Sequence, residues 1–218
     1  GAMSDTALIE RLLGPDREGI RLIAVSTLHG SATIDGTSGP MGNDTDAELL
    51  AALREWSDIA VVGSATVKAE EYGPSTSTRL AVLSHSLDFA GFEDFIAAGP
   101  IVLTQAERAS SPEARRLADA GAEVISTGTG TMSEAVSALH ALGARRISCE
   151  GGPSVYSAFI AEGLVDQLYL TLDPHLSPSV EKPVVDGEAT SPALKLELEN
   201  VDTVDSTVFL RYRRAQTP

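Results

Sequence analysis

An α/β domain built on a mixed, mostly parallel central sheet that ends in an antiparallel hairpin is the fold the sequence predicts. Three observations lead there. Apolar runs rich in β-branched residues recur along the chain and alternate with helix-like patterns, as in a parallel sheet with crossover helices. Those runs are almost continuously apolar, as strands covered on both faces are. Near the C-terminus the pattern changes: Leu194, Leu196 and Leu198 alternate with Lys195, Glu197 and Glu199, which reads as half of a hairpin with one wet face.

The elements follow in order. Gly1-Ala2-Met3 reads as a tag remnant and residues 1–20 as a lead-in, ahead of a single domain over 21–218. RLIAVS (21–26) is the first strand. Asn43 and Asp44 cap a helix over 45–56 whose Leu49, Leu53 and Trp56 share one stripe. DIAVVG (58–63) is the second strand, and the short helix after it stops at Tyr72-Gly73-Pro74. RLAVLS (79–84), PIVLT (100–104), AEVIST (122–127) and RRISC (145–149) are further strands. Ser111 before Pro112 opens a helix, and the helix over 131–142 ends before Gly143. A helix over 153–161 ends before Gly163. VDQLYLTLDP (165–174) is a strand, a Pro-, Ser- and Gly-rich loop spans 174–193, and the hairpin closes the chain.

Composition excludes several classes. A formal charge of −15 over 218 residues repels nucleic acid and anionic membranes. It still admits a phosphorylated ligand, because local backbone dipoles outweigh a distant net charge. Cys149 is the single cysteine, so no internal disulfide framework exists, and no metal site is expected from it and four histidines. No apolar run reaches the roughly 18 residues a membrane span needs. With no secretion signal either, a cytoplasmic protein is expected.

Two glycine-rich strand–helix junctions carry candidate chemistry. In ISCEGGPSVYSAFI (147–160), Glu150 begins a turn, Gly151 and Gly152 leave the backbone bare, and Pro153 and Ser154 open a helix. Helix N–H groups there suit a pyrophosphate; a tight strand–helix turn would use the same residues. In STGTG (126–130), Gly128 and Gly130 permit close approach and Thr129 offers a hydroxyl, but the full G-x-G-x-x-G pattern is missing because Ser133 takes its last place. Gly63 ends a strand, His29 can exchange a proton near neutral pH, and Asp35-Gly36 is a turn signal before it is a carboxylate site.

Taken in chain order, STLHG and IDGTSG (26–30 and 34–39), DIAVVGSATVKAEEYGP (58–74) and CEGGPSVYSAFIAEGLVDQLYLTLDP (149–174) resemble the reductase domain of riboflavin biosynthesis. This is the C-terminal domain of bacterial bifunctional deaminase-reductases, within the dihydrofolate-reductase-like superfamily, and the similarity spans roughly 21–213. The resemblance implies a three-layer fold, NADPH bound across the C-terminal strand edges, and reduction of a ribosylamino-pyrimidine phosphate to its ribitylamino form. It implies that Gly63 and Thr66 contact the cofactor, that Ser84 lies near the adenosine with Thr129 and Gly130 beside it, and that Gly151, Gly152, Ser154 and Val155 surround the phosphates and nicotinamide. The same resemblance implies that Glu150 and His29 fall at the reacting end, with Glu150 orienting polar groups and His29 donating a proton. It also implies that Ser26, Asp35 and Arg79 fall on the substrate side and that a homodimer forms through the late strands. Two departures stand out. His29 replaces the acid of the family's S-L-D-G, and the Arg-containing segment after Pro74 is shortened. They open an alternative: a dinucleotide-binding homologue with lost or altered reductase activity, or one acting like dihydrofolate reductase. No H-x-E with paired cysteines is present, so zinc deamination is not expected.

Overall fold

The computed structural model describes residues 5–75 and 77–216. Its strands are β1 (Gly19–Thr27), β2 (Ile59–Gly63), β3 (Arg79–Leu83), β4 (Ile101–Thr104), β5 (Glu123–Ser126), β6 (Arg146–Cys149), β7 (Gln167–Asp173), β8 (Leu196–Val204) and β9 (Thr207–Arg214). The helices are α1 (Thr6–Leu13), α2 (Asp44–Trp56), α3 (Ser64–Ala69), α4 (Glu93–Ala97), α5 (Ala106–Ala109), α6 (Pro112–Asp119), α7 (Met132–Ala141) and α8 (Pro153–Ala161). All nine strands form one sheet in the order β5-β4-β3-β2-β6-β1-β7-β9-β8. The pairs from β5 to β7 are parallel, and β9 is antiparallel to both β7 and β8. The predicted mixed sheet is therefore correct, and its parallel strands lie within two residues of their expected bounds.

Alternation along the strands explains the layering. Ile59, Val61, Ile101, Ile147 and Cys149 face one layer, where α7 and α8 bring Val136, Leu139 and Phe159. Ala60, Val62, Val82 and Val102 face the other, against Val67, Phe95 and Ile96. A third cluster joins Ile23 and Tyr169 of the sheet to Leu49 and Leu53 of α2 and Leu12 of α1. Both faces are dry, which is why these strands lack a polar alternation.

The lead-in carries α1, which packs against the sheet. Asp5 caps α1 by accepting from the Leu8 N–H, and Leu12 is 2% exposed in the third cluster. Gly1-Ala2-Met3 lie outside the described residues. Contrary to expectation, the hairpin's wet face is not the alternating one. A register shift between Leu198 and Asn200 breaks the period, so Leu198 is 52% exposed. Glu199 turns inward instead, taking Arg17 at 2.7 Å and Gln167 at 2.7 Å.

Strand order places the site. β6, late in sequence, lies between β2 and β1. Connections diverge from that point, and the C-terminal ends of parallel strands there form a crevice.

Candidate active site

Cys149 ends β6, and the chain enters α8 within four residues. Glu150 N–H donates to Val61 O at 2.9 Å, and Gly63 N–H donates to Gly151 O at 2.8 Å, so the turn is stitched to β2. Gly152 admits no side chain: a Cβ would lie 2.7 Å from Thr66 Oγ1. The N-terminus of α8 carries no side-chain cap and no acid in its first turn. Among the described residues, neither the Ser154 nor the Val155 N–H has a protein acceptor.

The turn divides two openings. On one side a cavity of about 610 Å³ lies between β1, the start of α2 and the turn; Arg54, Tyr72, Glu150, Asp46 and Tyr156 line it. On the other a groove of about 460 Å³ runs over the ends of β2, β3 and β4; Ser84, Thr104, Gly130, Ser154 and Val155 line it. Thr66, Gly152, Pro153 and Lys182 line both.

The first cavity contains the charges. Glu150 is 3% exposed at its side chain and receives Arg54 Nε at 2.6 Å and Arg54 Nη2 at 2.5 Å. Tyr72 also donates its hydroxyl to Glu150 Oε1 at 2.7 Å. Donation to the Glu150 carboxylate holds the Arg54 pKa above its ordinary value, and burial, reinforced by Glu150, raises that of Tyr72. Asp46 accepts from the Thr171 hydroxyl at 2.7 Å, and its pKa is raised by burial against the opposing effect of that bond.

The groove is lined mainly by neutral hydroxyls and bare backbone, with Lys182 and Asp186 at its edge. Thr104 is 3% exposed and its hydroxyl has no partner among the described residues. An orphan hydroxyl, bare glycine and free helix N–H groups together fit a ligand rich in phosphate oxygens, such as a dinucleotide.

The second glycine junction is different. Glu134 accepts from the N–H and hydroxyl of both Thr129 and Thr131, closing a capping box, and these bonds lower its pKa to about 2. Glu162 takes the Met132 and Ser133 N–H groups at 2.7 and 2.9 Å. The amides of this loop are thus already satisfied by the protein's own carboxylates.

Of the residues singled out in sequence, Gly63, Thr66, Ser84, Gly130, Gly152, Ser154 and Val155 line the groove, and Gly151 and Glu150 line the cavity. Five do not reach either opening. Thr129 is engaged with Glu134. Arg79 starts β3, at the opposite end of the sheet from the crevice, where it pairs with Glu123 at 2.6 Å. His29 accepts from the Ser177 N–H at 3.1 Å on a loop outside the cavity. Asp35 has φ of 53° in a turn whose N–H groups cap Glu181. Ser26 is buried and donates to Thr27 O at 2.8 Å. Each of these five is held by turn or strand contacts outside the two openings. Sequence reasoning missed Arg54, Asp46, Thr104 and Lys182. Arg54 reads as an ordinary helix arginine, and nothing local ties it to Glu150 96 positions away.

The sheet order, the C-terminal hairpin and the crevice define the dihydrofolate-reductase-like class of α/β folds, seen also in Enterococcus faecalis dihydrofolate reductase complexed with NADP(H). That enzyme is 16% identical, with a TM-score of 0.55 over 91% of this chain and 97% of its own. Within that class the chain belongs to the RibD C-terminal domain family, the reductase family of riboflavin biosynthesis, which matches residues 20–210. A pyrimidine reductase-like protein from Corynebacterium diphtheriae is 35% identical, with a TM-score of 0.81 over 93% of this chain and 94% of its own. The Thermotoga maritima diaminohydroxyphosphoribosylaminopyrimidine deaminase/5-amino-6-(5-phosphoribosylamino)uracil reductase is 18% identical, with a TM-score of 0.73 over 91% of this chain. This chain spans 57% of that bifunctional protein. No curated protein matches the sequence significantly.

Proposed function

We propose that the chain is an NADPH-dependent reductase of a pyrimidine- or pteridine-type substrate, most like 5-amino-6-(5-phosphoribosylamino)uracil reductase. One observation carries the reading: the uncapped N-terminus of α8 opens at the wall shared by a hydroxyl-lined groove and a cavity that holds the Arg54–Glu150 pair. The Ser154 and Val155 N–H groups, with Gly63, Thr66, Ser84 and Gly130, would hold the cofactor, and Lys182 would add the one lysine or arginine charge lining the groove. The bound nicotinamide would supply hydride. Arg54 and Tyr72, fixed by Glu150, would orient the substrate, which makes Glu150 a positioning group. The preference for NADPH over NADH and the homodimer rest on the family resemblance.

Fluorescence titration of the whole protein with NADPH and NADH tests the first part, with saturable binding expected and NADPH tighter. Loss of NADPH absorbance with 5-amino-6-(5-phosphoribosylamino)uracil or dihydrofolate tests the second. Binding without oxidation across both substrates would favour a dinucleotide-binding homologue of altered activity. The shortened basic segment after Pro74 and the absence of His29 and Arg79 from the cavity make that second reading specific. Absence of binding to either cofactor would sink both.

A further inference from the structure

Three features let a cavity hold a phosphate: a cation, free backbone N–H groups and an unopposed helix N-terminus. In the charged cavity each is met by the protein's own groups or shared with the groove. All sixteen lysines and arginines lie among the described residues, and of these Arg54 and Lys182 line the cavity. Arg54 is forked onto Glu150 through Nε and Nη2, which offsets its charge. Lys182 stands at the wall shared with the groove, where cofactor phosphates would draw on the same charge. The loop over 38–42 has no amide to spare. Ser38 N–H donates to Glu70 Oε1 at 3.2 Å, Gly39 N–H to Thr37 Oγ1 at 3.1 Å, Met41 N–H to Ser38 O at 2.9 Å and Gly42 N–H to Asp173 Oδ2 at 2.9 Å. Pro40 has no N–H to offer. The start of α2 faces the cavity but is fronted by acids of its own first turn, Asp44 and Asp46. Neither these two nor Glu70 has an ion-pair partner among the described residues. Four carboxyl groups thus face two cations, and with Asp46 neutral, the form its burial favours, three still face two.

We propose that the substrate of this cavity carries no phosphate: it is a pyrimidine or pteridine with an uncharged, hydroxyl-rich side chain. The inference rests on the reductase reading above and narrows its substrate class. A phosphomonoester dianion would give up water to enter a cavity of net negative charge, on a protein of formal charge −15. A hydroxylated chain instead donates to carboxylate oxygens, which only accept. Arg54 Nη1, which has no acceptor among the described residues, is left for a ring carbonyl. The same choice accounts for two departures described above. The basic segment after Pro74 is short, and Arg79 serves the opposite end of the sheet, because no phosphate has to be held at this one.

The test compares two ligands that differ only in the phosphate. 5-Amino-6-(ribitylamino)uracil and its phosphate ester, the two forms of the expected product, are titrated calorimetrically onto the whole protein saturated with NADP+. The form without phosphate should bind at least about tenfold more tightly, and the gap should narrow in about 0.5 M NaCl, because charge rather than shape sets it. Glu70→Lys places a cation at the C-terminal end of α3, where the helix favours one, and should move the ratio about tenfold toward the phosphate ester. Lys182→Ala should weaken cofactor binding and leave the ratio as it was. Tighter or equal binding of the phosphate ester, an unmoved ratio in Glu70→Lys, or a Lys182→Ala loss confined to the ester would overturn the inference. So would binding of neither compound to the NADP+-loaded protein. Failure of wild type to bind any nicotinamide cofactor would instead overturn the reductase reading, and the substrate class with it.

Discussion

The junctions after β5 and β6 look alike as sequence, and the fold treats them oppositely. Both follow a strand, carry two glycines and hydroxyl residues, and open a helix. At α7, Glu134 and Glu162 lie across the free N–H groups and close them. At α8, no carboxylate among the described residues accepts from the free N–H groups: Glu150 is turned away into Arg54 and Tyr72, and Asp186 meets the helix through its own N–H, which donates to Pro153 O at 3.2 Å. A glycine-rich helix start recognises an external anion only where the protein has not already supplied one.

The largest effect that sharpens this contrast comes from Glu150→Gln. It strands Arg54 beside a mostly buried site and should lower unfolding free energy by roughly 3 kcal/mol, measured by urea denaturation. An unchanged midpoint would mean that the Arg54 pair is not held as described. Gly152→Ala should come next. Its Cβ meets Thr66 Oγ1, shifts the open helix start, and should weaken NADPH binding about tenfold, or ~1.4 kcal/mol, in a titration. Retained affinity would place the phosphates elsewhere.

At the closed junction the consequence concerns acid stability. The Glu134 pKa falls from 4.5 to about 2 in the folded state. Its contribution is therefore complete above about pH 4.5 and is lost as pH drops toward about 2. Glu134→Gln should flatten that part of the acid-unfolding curve, read by circular dichroism; an identical slope would contradict the cap. Smallest is Thr129→Ala, which should leave NADPH affinity within about twofold, since Thr129 serves Glu134 and lines no groove. A large loss would mean that the loop opens to ligand after all.

Much of the architecture was legible because local signals agreed. Continuous apolar runs gave the parallel strands, and Asn43, Ser111-Pro112 and Thr131 marked helix starts that the structure contains. The failures have physical causes. α1 was set aside as a lead-in although Leu8, Ile9, Leu12 and Leu13 carry an apolar face. α4 and α5 are too short for a 3.6-residue period to register. Glu199 overrode the hairpin alternation through a bulge and two polar partners. In the site, the glycine and hydroxyl positions of the groove were readable because bare backbone leaves a local mark. Asp46 with Thr171, and Arg54 with Glu150, were not, because each pair is assembled across the sheet from distant segments. Arg79 shows what charge alone leaves out: its position at the start of β3 sets which end of the sheet it occupies.

The β6–α8 turn walls both openings with consecutive residues. The spacing of the two openings is therefore set by covalent backbone rather than by the meeting of separate loops. Replacing the segment around residues 31–47 could exchange one heterocycle for another without retuning the partner compartment, which makes the scaffold a natural starting point for altered reductases.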